Sequence, residues 1–505
     1  MGNMQQLTPM DAAFLYLENE TTHAHGTLVW LYDAGDCEAG SVTRKALLDH
    51  MRARLPVSPV FTRKVERLPL DFDYPYWVDD TAFELLYHIR ERSLATAASW
   101  VDFCDLVADV HAQPLDHQHP LWELTLVPGL DGIKGLPQRC FAILGKFHHV
   151  AIDGATGMHI INGIHDIPGR PAPAATDTVR SARSPALGES LYRAAIRNLG
   201  AMDKGLGLLG LSRASKTRDE PSANEASNSA AAEAEDTAPL PQTLFNQAID
   251  AKATWDSRSF DLAAIKGMRA AVKDATVNDV LLAIVGGGLR HYLEHRDALP
   301  DNPMRAGCPI NIRTEEEAGA GGNMISAMIV SMHTDIASPI QRLRAITRSS
   351  AAAKLRAEQR GSRKILDVTS VVPAQAQALL GQLAGKVSGK LNRAIQFNCS
   401  VSNLPGPQQD LYMLGGRLQN IAAAMPIMNG FGLFVGLTTC AGKLNISMSS
   451  CDGILPDPEK LGDCMDQSFT ELLAATRKKA HVKKPATGKT RARQVTPRKQ
   501  NRKTR

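Results

Sequence analysis

The sequence predicts an α/β protein of the mixed α+β kind, divided into two domains. Three observations carry this. The chain has 505 residues, more than one hydrophobic core ordinarily organises. Each half pairs short apolar or β-branched runs with longer stretches in helical period. Between the halves, the segment from Ala214 to Pro241 is poor in large apolar side chains and rich in Ala, Ser, Glu and Pro, which is linker composition. The expected organisation is a first domain over 1–183, a crossover helix and flexible linker over 184–241, a second domain over 242–476 and a disordered basic tail over 477–505.

Hydrophobic residues make up 44% of the chain and charged ones 22%, a globular composition. The formal net charge of +5 conceals an asymmetry. Thirteen of the 57 Lys and Arg residues lie between Arg477 and Arg505, where no Asp or Glu occurs, so the body carries 44 basic against 52 acidic residues. A mildly acidic body with a basic tail suits contact with an anionic surface, a lipid one in preference to nucleic acid. The eight cysteines are scattered singly and no Cys/His spacing suits zinc, so reduced thiols and a cytoplasmic location are expected. The first residues lack a basic region followed by an apolar core, and no run of 18 apolar residues occurs, so neither a signal peptide nor a membrane span is expected.

Along the first half, Thr8 or Asp11 can cap a short helix in Leu7–Phe14, and Gly26–Tyr32 reads as a strand. Residues 41 to 55 form an amphipathic pattern closed by Pro56. Leu124–Val127 and Phe141–Leu144 are further strands, and Met158–Ile161 begins a helix. From Ser184 to Ser212, Leu187, Leu191, Ala194, Ala195, Leu199 and Met202 make an apolar stripe opposite Arg193, Arg197 and Lys204, a crossover helix that could also lie on a membrane surface. In the second half, Ala275–Arg290 reads as a buried helix capped near Thr276 or Asn278. Strands follow at Cys308–Arg313 and Gly322–Val330.

The chemistry concentrates between Phe141 and Asn162. His148 and His149 are adjacent, so on a strand they face opposite ways unless the strand ends there, and one imidazole is expected to face chemistry and the other structure. Three residues later Asp153-Gly154 makes a turn signal and keeps a carboxylate near the pair. His117 and His119 have a spacing that a metal could use, but their Pro-bounded loop offers no further ligands, and no metal is expected. Trp122 is read as a packing residue. No G-x-S-x-G occurs, which excludes the usual nucleophile elbow of a serine hydrolase.

The pattern His148-His149-x-x-x-Asp153-Gly154 resembles the HHxxxDG motif of acyl-CoA-dependent acyltransferases of the chloramphenicol acetyltransferase type. Five further stretches resemble the bacterial bifunctional wax ester synthase/diacylglycerol acyltransferase family: the opening at Leu7, Pro120-Leu121-Trp122, Asn278-Asp279, the segment from Pro309 to Arg313 with the Gly322-Asn323 strand after it, and Ser402-Asn403-Leu404-Pro405-Gly406-Pro407. The resemblance implies a two-domain chloramphenicol-acetyltransferase-like sandwich with a tunnel between the domains. It implies transfer of a long-chain acyl group from acyl-CoA to diacylglycerol or a fatty alcohol, with no cofactor beyond the acyl-CoA substrate. By the same resemblance His149 is the general base, His148 is supporting structure, and Asp153 organises the loop through an arginine such as Arg313. Asn278, Asp279, Ser402 and Asn403 are the candidates for oxyanion and substrate contacts. Apolar substrates imply peripheral attachment to the inner membrane face or to lipid bodies, and a homodimer is compatible with all of this. Another HHxxxDG acyltransferase with a different acceptor, or a catalytically silent lipid-binding member of the fold, are the alternatives.

Overall fold

The computed structural model describes residues 5–35, 37, 40–152, 154–169, 186, 188–197, 239–311, 325–359, 373–379 and 395–482. Asp153, Arg313, most of the expected linker and the tail beyond 482 lie outside them.

The first half runs β1 (Gln5–Gln6), α1 (Pro9–Leu17), β2 (His25–Asp33), α2 (Arg44–Arg52), β3 (Arg63–Glu66), β4 (Tyr76–Asp79), α3 (Leu85–His88), β5 (Ile89–Glu91), α4 (Trp100–Ala112), β6 (Trp122–Val127), β7 (Cys140–His148) and α5 (Gly154–Ile164). Helix α6 covers 188–197. The second half continues with β8 (Ala253–Asp261), α7 (Leu262–Met268), α8 (Val277–His295), β9 (Arg305–Asn311), β10 (Ile325–Ser331), α9 (Pro339–Gln359) and a helical turn α10 over 374–379. It ends with β11 (Cys399–Leu404), β12 (Tyr412–Met413), β13 (Gly416–Ala424), β14 (Phe434–Cys440), β15 (Lys443–Cys451) and α11 (Pro458–Val482).

Two six-stranded sheets, one in the order β12-β13-β2-β7-β6-β5 and the other β10-β9-β11-β14-β15-β8, and a three-stranded sheet β1-β4-β3 organise these elements. The strand order does not follow the sequence halves. Residues 412–424, expected with the 242–476 segment, complete the sheet of the first half, where Arg417 pairs with Asp33 and Ala424 with Thr27. Strand β7 lies inside that sheet and is buried along its whole length, which is why it reads as a nearly continuous apolar run. Its Gly145 is required by packing, since a Cβ there would stand 2.6 Å from the Trp30 indole.

Both faces of the first sheet are covered. Trp30, Tyr32, Ile143 and Phe147 pack toward Ile160, Ile161 and Ile164 of α5. Val29, Leu31, Ala142 and Leu144 pack on Phe103, Cys104 and Val107 of α4. Helix α4 also touches the second sheet, where Trp100 Nε1 donates to Asp256 Oδ1 on β8 at 2.8 Å. The second core gathers on α8, α9 and α11. All eight cysteines, each among the described residues, carry free thiols. Among the described residues no helix is long and apolar enough to cross a membrane.

Helix starts follow the sequence. Thr8 caps α1 by accepting from Asp11 N, and Thr276 with Asp279 forms a complete capping box on α8. Helix α5 opens at Gly154, four residues ahead of the expected start at Met158.

Candidate active site

The histidine pair stands where β7 ends. In the antiparallel register His25 of β2 lies directly opposite His148, and Thr27 opposite Lys146. Directly opposed residues share a face, so these four side chains point together toward α4. There His25 Nε2 donates to the His111 carbonyl at 2.7 Å, and Thr27 Oγ1 contacts His111 Nδ1 at 3.0 Å. Lys146 is fully buried and donates to the Gln113 carbonyl at 2.9 Å. Burial pushes its ammonium down to about 8, against the opposing pull of Glu123.

Strand β7 ends at His148, so strand period does not extend to His149, and both rings meet α1, His148 at Glu18 and His149 at Phe14. His148 is wholly buried. Its Nδ1 accepts the Val150 N–H at 3.0 Å, and its Nε2 lies 3.2 Å from Glu18 Oε1 at the end of α1. His149 sits just past the strand and is only partly enclosed at its surface. Its backbone N–H donates to the Ala24 carbonyl at 2.8 Å, and its ring stacks on Phe14 of α1 with centroids 5.2 Å apart. Burial, with a smaller contribution from His148, pushes His149 down to about 4. The imidazole is therefore neutral at physiological pH and able to accept a proton.

Glu18 joins the site from 130 residues away in sequence, a partner that residue spacing does not reveal. Its other oxygen lies 2.9 Å from His117 Nε2. Burial acts to raise this carboxyl, but hydrogen bonds and charge from His117 and His148 outweigh it and hold Glu18 well below the usual carboxylate range. The ligand-capable atoms of Glu18, His117 and His148 lie within 4.8 Å of one another, so these three are the residues that could hold a metal. His119 is elsewhere, stacked on Tyr87 with centroids 3.9 Å apart.

The Pro120-Leu121-Trp122 segment supports the site from behind. The Leu121 carbonyl accepts the His148 N–H at 3.1 Å. Trp122 is buried, donates from Nε1 to the Phe61 carbonyl at 3.1 Å and stacks on His88. Its neighbour Glu123 pairs with Arg90.

In the second half, Asp279 is buried and its carboxylate accepts the Thr276 N–H at 2.8 Å. Asn278, one residue earlier, is exposed and accepts from Asn403 Nδ2 at 2.8 Å. Ser402, half-buried, is paired with Gly436 on β14. The glycine of the Pro405-Gly406-Pro407 turn is needed for close approach, because a Cβ at Gly406 would fall 1.5 Å from the Thr439 carbonyl oxygen. Asp153 and Arg313 lie outside the described residues.

Comparison with known proteins places this arrangement. The wax ester synthase/diacylglycerol acyltransferase catalytic domain matches residues 7–281, and the C-terminal domain of the same family matches residues 321–473. A Mycobacterium tuberculosis protein, by name a diacylglycerol O-acyltransferase, is 29% identical over 501 residues, covering 93% of this chain and 97% of its own. A Mycobacterium bovis protein of the same name is 27% identical over 489 residues, covering 93% and 99%. The fold is shared with the wax ester synthase/diacylglycerol acyltransferase of Marinobacter aquaeolei VT8, with a TM-score of 0.66 at 24% identity over 94% of this chain and 100% of that one. It is also shared with the TRI3 trichothecene 15-O-acetyltransferase of Fusarium sporotrichioides, with a TM-score of 0.54 at 11% identity over 94% and 95%. On these matches, and with both histidines of its motif held at the end of β7, the chain is an acyltransferase belonging to the wax ester synthase/diacylglycerol acyltransferase family.

Proposed function

We propose that the protein moves a long-chain acyl group from acyl-CoA to the hydroxyl of diacylglycerol or of a long-chain fatty alcohol, giving triacylglycerol or a wax ester. The observation that carries this is the division of labour at the end of β7. His148 is buried, its Nδ1 accepting the Val150 N–H and its Nε2 3.2 Å from Glu18, while His149 is neutral and partly accessible. A neutral alcohol is a poor nucleophile and needs a base placed at its proton. His149 takes that proton as the alcohol oxygen attacks the thioester carbonyl. The tetrahedral intermediate collapses with cleavage of the carbon–sulfur bond, and the departing thiolate receives the proton from the imidazolium, so no acyl-enzyme forms.

Developing negative charge on the carbonyl oxygen needs a donor. The Asn278–Asn403 pair is our candidate, because Asn278 accepts through Oδ1 and so leaves its amide N–H groups to donate. Both acceptor alcohols are insoluble in water, which implies a tunnel between the two sheets and peripheral work at the cytoplasmic face of a membrane or at a lipid body.

The test is an assay of the purified protein with palmitoyl-CoA against hexadecanol and dioleoylglycerol in parallel, following thiol release and ester formation. Ester formation with either acceptor is expected. Hydrolysis of palmitoyl-CoA at the same rate with and without acceptors would overturn the reading.

A further inference from the structure

The structure assigns a further role on top of that reading: we propose that Glu18 and His117 are positioning residues that clamp His148, and with it the turn carrying His149, in one tautomer and one orientation. Three groups meet the Glu18 carboxylate. The Ala24 N–H reaches Oε1 at 2.8 Å, His148 Nε2 lies 3.2 Å from the same oxygen, and His117 Nε2 lies 2.9 Å from Oε2. Ala24 in turn accepts the His149 N–H at 2.8 Å. Glu18 thus holds the pair twice, through the His148 ring and through the His149 backbone.

The tautomer follows from the other ring nitrogen. Because His148 Nδ1 accepts the Val150 N–H, the neutral ring carries its proton on Nε2. That nitrogen lies 3.2 Å from Glu18 Oε1. The Ala151 N–H returns to the His148 carbonyl at 2.9 Å, so the turn after β7 is wound around the same imidazole. His117 stands edge-on to His148, with centroids 5.8 Å apart and planes at 90°. From the loop between α4 and β6 it occupies the second carboxylate oxygen, which prevents Glu18 from rotating away.

A zinc ion would also suit two imidazoles and a carboxylate, but the hydrogen bonding argues otherwise. With Nδ1 already an acceptor, a bare Nε2 would require the imidazole to give up its only proton. Among the described residues, the charged and titratable groups that face this cluster include His23, from the segment before β2, and Arg67, after β3. Neither takes the place of His117 on Oε2.

The experiment compares the full-length protein with His117→Ala, His117→Gln and Glu18→Gln, using the palmitoyl-CoA assay together with 15N spectra of histidine-labelled protein. A displaced catalytic group can cost roughly 10²-fold in rate. We expect His117→Ala to lower kcat by about 10- to 100-fold with KM little changed, and His117→Gln, which keeps an N–H donor at the same reach, to recover most of it. The His148 resonance should report the Nε2–H tautomer in the wild type and a tautomer mixture in His117→Ala and Glu18→Gln. Unchanged kcat in His117→Ala, or an unchanged His148 tautomer in both variants, would overturn the clamp. So would loss of wild-type activity on EDTA dialysis with recovery on adding zinc, which would mean a metal site. The spectra read the clamp without turnover, so an inactive wild type with an Nε2–H His148 that both variants disturb would count against the proposed function and leave the clamp standing.

Discussion

Asn403 donates its amide to Asn278 Oδ1 across 2.8 Å, tying β11 to the first turn of α8 one residue before the buried Asp279. The two residues of the Asn-Asp motif therefore do different work. Asp279→Ala removes the carboxylate half of the Thr276 capping box and should cost about 1 kcal/mol of stability. Asn403→Ala, at an exposed contact, should cost less than about 1 kcal/mol. If the amide pair steadies the oxyanion, however, it should lower kcat by on the order of 10²-fold. Thermal melts and kcat measured side by side separate these effects, and a fully active Asn403→Ala would remove the pair from the proposed mechanism.

His149→Ala should fold normally and lose about 10²–10⁴-fold in rate, whereas His148→Ala should retain measurable turnover. The pH dependence follows from the direction of the His149 shift. The base works unprotonated and its pKa is pushed down to about 4, so kcat/KM should be flat through neutrality and fall only as acid protonates it near that value. Initial rates taken immediately after dilution into each buffer make the check. A limb near the ordinary histidine value of about 6.5 would show that the ring is not held in this buried state during catalysis.

Stability should fall in acid sooner than activity does. His165 is buried, accepts the Tyr32 hydroxyl at Nε2 (2.7 Å) and donates from Nδ1 to the Ile161 carbonyl (2.6 Å). Burial pushes its pKa down to about 3. The unfolded chain takes up this proton near pH 6.5, but the folded chain does not until about 3. The contribution is therefore whole above about 6.5 and is lost as pH falls toward 3, at about 1.4 kcal/mol per unit. Urea midpoints at pH 7.5, 5.5 and 4.5 should decline in that order, and a midpoint constant over this range would contradict the assignment.

Proteolytic cleavage between Ala214 and Pro241 should leave two fragments that elute together. Strand β13 of the second fragment is hydrogen-bonded along β2 of the first, and Trp100 reaches across to Asp256. Elution of separate halves from a sizing column without denaturant would contradict this sheet order.

What the residues disclose by themselves is local. The Thr276 cap and the packing role of Trp122 follow from capping chemistry and side-chain size, and each is where those rules put it. What they conceal is long-range pairing. Glu18 looks like an ordinary residue at a helix end until folding sets it beside His148. His117, dismissed as a metal ligand for want of neighbours, finds its partner in that same carboxylate. Strand β13 carries no local mark that it belongs beside β2 and not beside its neighbours in sequence.

That strand also sets an order of events during synthesis. Asp33 and its partner Arg417 are 384 residues apart, and a ribosome adding about 5–20 residues per second needs roughly 20–80 s to cover that distance. For all that time the nascent chain carries the β2 edge without the strand that will cover it, an open edge of the sort that templates aggregation. Supply of chaperone during translation, more than the stability of the finished molecule, should therefore govern how much active enzyme a cell obtains.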